Sequence, residues 1–284
     1  MLIEKPDPNV VDLIYKSKSN SEVKAYLMSD IHYDSCKCDV DMFHKHLRMA
    51  EKDKAVVMIN GDLFDAMQSR DDPRRDPDEL KQKYKVSSYT DALVIDVSDM
   101  LSKYKVPYII GLGNHETAVL KKLGTNLIDR VCHDLNKGGG HAFNMGYYGF
   151  ARFRFHYANG GVKRSKLLYW HHGGGGSSPV TKGVISTARQ AVYLPDADVV
   201  WNGHNHNEYS LTLNRVGVNT SGKIVETLQH HVRTAGYKMG GLATGSRHGY
   251  DVEKHPAPTP RGCMILSFIF TKKAVEIRTQ ALLY

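Results

Sequence analysis

Cysteine is scarce in this chain, with four in 284 residues, at positions 36, 38, 132 and 263. Only Cys36 and Cys38 lie close together, as CKC, and no second pair follows at the spacing of a zinc ribbon. A disulfide scaffold is therefore excluded as the organising device, and free thiols in a reducing compartment are expected. Long apolar runs are missing as well: no stretch approaches the roughly 20 residues of a membrane helix. The opening MLIEKPDPNVVDLIYKSKSN has neither an apolar h-region nor a cleavage-like site. These absences predict a cytoplasmic protein with no membrane partner. There is no internal repeat and no Pro/Ser-rich linker, so one domain over 1–284 is expected. Charge of one sign does not dominate either. The 38 Lys and Arg exceed the 30 Asp and Glu by eight, a balance compatible with an anionic substrate, nucleic acid included, but not diagnostic of one.

What is present is a regular alternation. KAYLMSD (24–30) reads as a strand ending in polar residues. In 39–53, Phe43, Leu47 and Ala50 fall at helical spacing. AVVMINGD (55–62) is a short apolar strand stopped by glycine, 88–104 reads as a helix, and VPYIIGLGNHE (106–116) as a third strand. This β-α-β-α-β order predicts a mostly parallel sheet with helices on its faces, whose site lies beyond the carboxyl ends of the strands. A helical stretch near 117–135 follows. Strands are expected at 152–157, 166–171 and 198–203, with a helix at about 180–193. Four later segments, EYSLTLNRVGV, KIVETLQHHVRTA, CMILSFIFT and AVEIRTQAL, alternate and look antiparallel. A second sheet packed on the first accounts for them.

The polar clusters all follow apolar strands. They are SDIH (Asp30, His32), NGDLFD (Asp62, Asp65), GLGNHE (Asn114, His115, Glu116), WHHG (His171, His172) and NGHNH (His204, His206). In extended backbone His204 and His206 would project to one side. Every cluster offers oxygen or imidazole and none offers sulfur, which suits a divalent manganese, iron, zinc or nickel ion. Of the adjacent pair His171 and His172, only one can readily face the others.

As a set the motifs DIH, GDLFD, GNHE, HHG and GHNH, in that order from residue 30 to 206, resemble those of the calcineurin-like metallophosphoesterase superfamily. The resemblance implies an α/β fold, a two-sheet αββα sandwich. It implies two divalent metal ions, manganese foremost, with iron, zinc or nickel as alternatives. Asp30, His32 and His206 would hold the first ion and Asn114, His172 and His204 the second, with Asp62 bridging both. His115 would be the catalytic general acid, its ring oriented by Glu116 or Asp65. The implied activity is phosphoester hydrolysis by a metal-activated water, most fittingly of nucleotide or nucleic-acid phosphodiesters, since GDLFD resembles the version in nucleases of the Mre11 type. The alternatives are a phosphomonoesterase, though the protein phosphatases of that class carry GDxxDRG, and a non-catalytic scaffold, in which ligands are usually lost.

Two segments fit neither sheet: the charged 66–87 and the Gly- and Pro-rich 236–262. Long loops in a compact domain are commonly functional. Their Arg70, Arg74, Arg75, Arg247, Lys254 and Arg261 suit the non-reacting phosphates of a substrate, with Arg74 and Arg247 the leading candidates, and Tyr250 suits stacking on a base.

Overall fold

The computed structural model describes residues 1–18, 20–66, 75–157, 163–176, 178, 180–240, 258–271 and 273–284. The chain opens with a hairpin the alternation had not signalled, β1 (Leu2–Asp7) and β2 (Val10–Ser17). Strand β3 (Ser21–Met28) leads to helix α1 (Val40–Lys52). Asp39 caps α1 by accepting from the Met42 N–H at 3.1 Å, and its buried face is Phe43, His46, Leu47 and Ala50. Then come β4 (Val56–Ile59), α2 (Tyr89–Ser102) and β5 (Tyr108–Ile110).

The expected helical stretch is two helices, α3 (Asn114–Leu123) and α4 (Leu127–Lys137). Gly124, at φ 67°, ends the first in the left-handed conformation, which glycine adopts without steric cost. The Asn126 side chain caps the second. The remainder is β6 (Ala142–Asn144), β7 (Tyr148–Tyr157), β8 (Lys163–His171), α5 (Val184–Tyr193), β9 (Val199–Asn202), β10 (Tyr209–Val218), β11 (Ile224–Arg233), β12 (Gly262–Phe270) and β13 (Val275–Leu283).

Among the described residues the strands form two mixed sheets. The first has the order β13-β12-β3-β4-β5-β6 and the second β1-β2-β7-β8-β9-β11-β10. Their inner faces share one apolar layer, with Leu27, Met58 and Ile109 from the first and Phe153, Trp170 and Trp201 from the second. Helices α1, α2 and α4 bury their apolar faces on the outside of the first sheet, and α5 lies against the second. This is the expected αββα sandwich.

Two expectations about the late strands need correction. β12 and β13 join the first sheet rather than the second, β12 pairing antiparallel with β3. The reason is burial: β12 is an almost unbroken apolar run covered on both faces, which demands an interior position. The second sheet is also not purely antiparallel, since β2–β7, β8–β9 and β9–β11 run parallel.

Register positions the site. Met28 pairs with Ile59 and Ile59 with Ile110, so β3, β4 and β5 end in step. The segments carrying Asp30, Asp62 and Asn114 therefore emerge side by side. In the second sheet Trp170 pairs with Trp201 and His171 with Asn202, which brings His172 level with the loop carrying His204.

Candidate metal centre

The turns that follow these strands are laced to one another. The Asp30 N–H donates to the Gly61 carbonyl at 3.1 Å, His32 to Asp62 at 3.0 Å and Tyr33 to Leu63 at 2.9 Å. The Gly203 N–H donates to the His172 carbonyl at 3.0 Å. Asp30, His32, Asp62, His204 and His206 all adopt positive φ, between 50° and 72°. That region is uncommon for residues other than glycine, and such strain concentrates at functional sites. It also corrects the reading of GHNH: β9 stops at Asn202, and His204 and His206 are not in extended backbone. They diverge instead of projecting together.

Three groups of potential ligands result among the described residues, each with donor atoms within 4.8 Å of one another: Asp30, His32 and His206; Asp62, His172 and His204; and His32, Asp65 and His115, which shares His32 with the first. In the first, His206 Nε2 lies 3.6 Å from Asp30 Oδ1. In the second, His172 Nε2 lies 3.2 Å from both Asp62 Oδ2 and Asn114 Oδ1. The His172 Nδ1–H donates to the Asn60 carbonyl at 2.6 Å, a second bond of the kind that fixes the tautomer and aims the other ring nitrogen at a metal. His171 is excluded from the group. Its Nδ1 accepts from the Gly173 N–H at 2.9 Å, so of the two candidates His172 is the one in the cluster.

The His32 ring is the clearest sign of an intended ligand. It is buried; Nδ1 lies 2.9 Å from Asp65 Oδ1, and Nε2 has no hydrogen-bond partner. A buried orphan of this kind costs free energy unless something fills its valence, and a divalent cation among carboxylates and imidazoles does so. The donor set of the first two groups fits such ions.

Electrostatics agree. Burial raises the Asp62 carboxyl, yet His115 and His172 beside it outweigh burial and hold it well below the usual carboxylate range. Burial lowers His172, but Asp62 wins and lifts it to about 10. His206 is pushed down to about 4 by burial. Cations held there would take over the attraction that His172 supplies to Asp62.

His115 is held against Asp62 by two contacts: its N–H donates to Asp62 Oδ1 at 3.0 Å, and its Nε2 lies 3.7 Å from Asp62 Oδ2. Its Nδ1–H donates to the backbone carbonyl of Asp65, so the ring is oriented by that peptide group. The Asp65 carboxylate is instead engaged by His32 and by Lys238 Nζ at 3.3 Å. Glu116 does not touch the His115 ring. It accepts from the N–H groups of Asp62 (3.0 Å), Phe64 (3.0 Å) and Gly113 (2.8 Å), clamping the GDLFD turn to the GNHE helix start. A side chain at Gly113 would collide with the Asp62 carboxylate, which is why this close approach needs glycine.

Several supporting residues carried no sequence signal. Asp34 accepts from the N–H groups of Asp65 (2.6 Å) and Ala66 (3.0 Å) and from the Tyr89 hydroxyl (2.6 Å). Glu79, from the charged 66–87 segment, pairs with Lys37 and Lys238 and so ties that segment to Asp65. Of the expected phosphate-binding residues, Arg74 and Arg247 lie outside the described residues, as do Arg70, Tyr250 and Lys254. Arg75 is exposed. Arg261 is occupied, donating to Asp39 at 3.2 Å and lying over the Tyr284 ring.

The family model for calcineurin-like phosphoesterases matches residues 23–240. Comparison with curated proteins gives no match. Among solved structures, similar ones include Vacuolar Protein Sorting 29 from Cryptosporidium parvum, at 12% identity over 93% of this chain and 99% of that one, TM-score 0.36. Another is GAP50, titled the anchor in the inner membrane complex of Plasmodium, at 12% identity over 92% and 89%, TM-score 0.43. A predicted phosphoesterase from Streptococcus pneumoniae aligns at 11% identity over 92% and 90%, TM-score 0.30. At these identities and scores the three carry no argument about function.

Proposed function

The chain belongs to the calcineurin-like phosphoesterase family, and on that premise we propose that it is a binuclear-metal phosphodiesterase acting on nucleotide or nucleic-acid phosphodiesters. The observation that carries the reading is the presence, among the three His/Asp groups at the strand ends, of one built on Asp30, His32 and His206 and one built on Asp62, His172 and His204, with the Asp62 charge also acting on His32. Asp30, His32 and His206 would hold one ion, Asn114, His172 and His204 the other, and Asp62 both. Two divalent cations there supply Lewis acidity, a water acidified for attack and a clamp on the phosphoryl oxygens; manganese is the first candidate.

The chain's own residues do the rest. Glu116 fixes the turn bearing Asp62 relative to the helix start bearing Asn114 and His115. The Asp65 carbonyl accepts from His115 Nδ1–H and orients the ring; to hand a proton to the leaving oxygen from Nε2 the ring would take up a second proton, which burial disfavours and the neighbouring Asp62 carboxylate favours. A diester is favoured over the monoesters of protein phosphatases because Ala66, a buried apolar side chain, stands where GDxxDRG has its arginine. A cytoplasmic setting accords with free thiols, three of them buried.

The deciding experiment is a metal-supplemented screen of one chromogenic diester and one chromogenic monoester, cyclic nucleotides, and single- and double-stranded DNA and RNA. Hydrolysis of diesters above monoesters is expected. Elemental analysis of the loaded, folded protein should give near two equivalents of metal, and a reproducible zero would sink the assignment.

A further inference from the structure

Arg233, the last residue of β11, is an anomaly. It is 4% exposed, yet no carboxylate pairs with it among the described residues. Its Nε has no hydrogen-bond partner, and Nη1 donates to the Lys182 carbonyl at 3.1 Å. The guanidinium lies 5.2 Å from the centroid of the Tyr209 ring. A buried cation without a counter-charge is costly.

The group sits directly below the start of α5. A side chain at Gly183, the residue that opens the helix at φ 84°, would collide with Nη1. No side chain caps the first-turn N–H groups of α5, and that turn holds no acid. The Ser186 hydroxyl, inside that turn, donates to the Gly183 carbonyl at 2.7 Å. From residue 172 to residue 195 the sequence has no Asp or Glu.

The position relative to the metal ligands is fixed by register. Arg233 pairs with Asn202 on one side and Tyr209 on the other. The loop between those two residues is the one that carries His204 and His206. Gly173, at the head of the glycine run leading towards α5, packs on His204.

We propose that Arg233 and the N-terminus of α5 form an anion subsite for a second, non-reacting phosphate of the substrate. The two features supply what such a group needs: a guanidinium whose Nε has no partner, and a helix start with a positive end where the Val184 N–H is bonded to the Thr181 carbonyl but no side chain caps the turn. This deepens the phosphodiesterase reading and rests on it for the identity of the ligand. It assigns the substrate class as phosphodiesters bearing a further phosphate, such as a strand or a terminally phosphorylated dinucleotide.

The test has two arms. In the first, chelator-treated full-length protein is titrated with millimolar sulfate and its melting temperature followed. Wild type should rise on the order of 3 °C more than Arg233→Gln; equal responses, or no response, overturn the subsite whatever the enzyme's activity. Arg233→Lys, which keeps the charge, should retain part of the shift and shows that loss in the glutamine variant is not misfolding. In the second, the metal-loaded enzyme is given a dinucleotide with free ends or with a 5′- or 3′-terminal phosphate. In wild type one terminal phosphate should lower KM about tenfold, and Arg233→Gln should erase that ratio. A ratio that survives the substitution overturns the assignment to substrate. Absence of any diester hydrolysis, with the sulfate shift intact, would count against the phosphodiesterase reading and leave the anion subsite standing.

Discussion

The two sheets carry very different layers on their outer faces. Outside the first sheet the contact is mostly apolar: Phe43, Leu47 and Ala50 of α1 and Leu93, Val97 and Leu101 of α2 are completely buried, with the Ser98 hydroxyl of α2 buried among them without a partner. Outside the second sheet α5 is turned the other way. Thr187 is its one buried residue, while Ile185 is 55%, Val192 82% and Tyr193 63% exposed. Beneath α5 the sheet presents Gln229, His231 and Arg233. The Oε1 of Gln190, Nδ1 of His231 and Nε of both Arg215 and Arg233 are buried there without partners. The first layer stabilises the strands that aim Asp30, Asp62 and Asn114. The second holds polar groups that folding alone does not need, which is the arrangement expected of a surface that works on a ligand.

The strongest test of the division is Asp62, the carboxylate between the two walls. Asp62→Ala should abolish phosphodiester hydrolysis and weaken both metals, read by turnover and by metal stoichiometry on the same preparation. A variant with wild-type turnover and two equivalents of metal would show that the walls do not meet at Asp62. Next is His115, which belongs to the first wall alone. His115→Ala should cost about 10²–10⁴ in kcat with both metals retained. The loss should shrink for nitrophenolate leaving groups, which need little protonation. Equal losses for good and poor leaving groups would remove the proton-donor role.

The layers themselves separate in stability. Leu93→Ala should cost about 2–5 kcal/mol, the usual range for deleting a fully buried leucine side chain. Ile185→Ser, on the outward side of α5, should stay within about 0.5 kcal/mol. Urea denaturation of both variants checks this. If Ile185→Ser costs as much as Leu93→Ala, the outward face of α5 is covered in solution and the contrast between the layers fails.

The first wall was legible because its chemistry is local. Asp30, Asp62 and Asn114 each follow an apolar strand within four residues, so the motif and its place at the strand end can be read together. The second wall was less so. The alternation argument for His204 and His206 assumed extended backbone, and the chain instead turns through positive φ at both residues. Glu116 or Asp65 is the carboxylate expected to orient the His115 ring. The actual partners of Glu116, the N–H groups of Asp62, Phe64 and Gly113, come together only when two turns dock. Arg233 lay inside a segment read as an ordinary strand, KIVETLQHHVRTA. Its meaning depends on pairing with Asn202 and Tyr209, which no local pattern encodes. The β1–β2 hairpin was readable in principle, since VVDLIY carries apolar residues on both sides of a turn-flanked strand.

The smallest expected effect is a pH slope with one contributor in each layer. His46, on α1, is bonded to the Tyr237 hydroxyl at 2.9 Å, and burial pushes it down to about 4. His231, under α5, is also pushed down to about 4, by burial first and then by the cations Arg215 and His230. Both rings are therefore neutral in the folded protein where an unfolded chain would begin to protonate. Their contribution to stability is complete above about pH 6.5, the ordinary histidine value. It is lost progressively as pH falls towards 4, because the unfolded state then binds protons that the folded state refuses. The urea midpoint should thus fall between pH 7 and pH 5, and His46→Gln and His231→Gln should each flatten that slope. The two substitutions distinguish a mostly apolar layer from a wet one. If His46→Gln flattens the slope and His231→Gln leaves it as in wild type, water reaches His231 beneath α5. The second layer would then be solvated rather than merely polar, and Arg233 would face water in place of an anion.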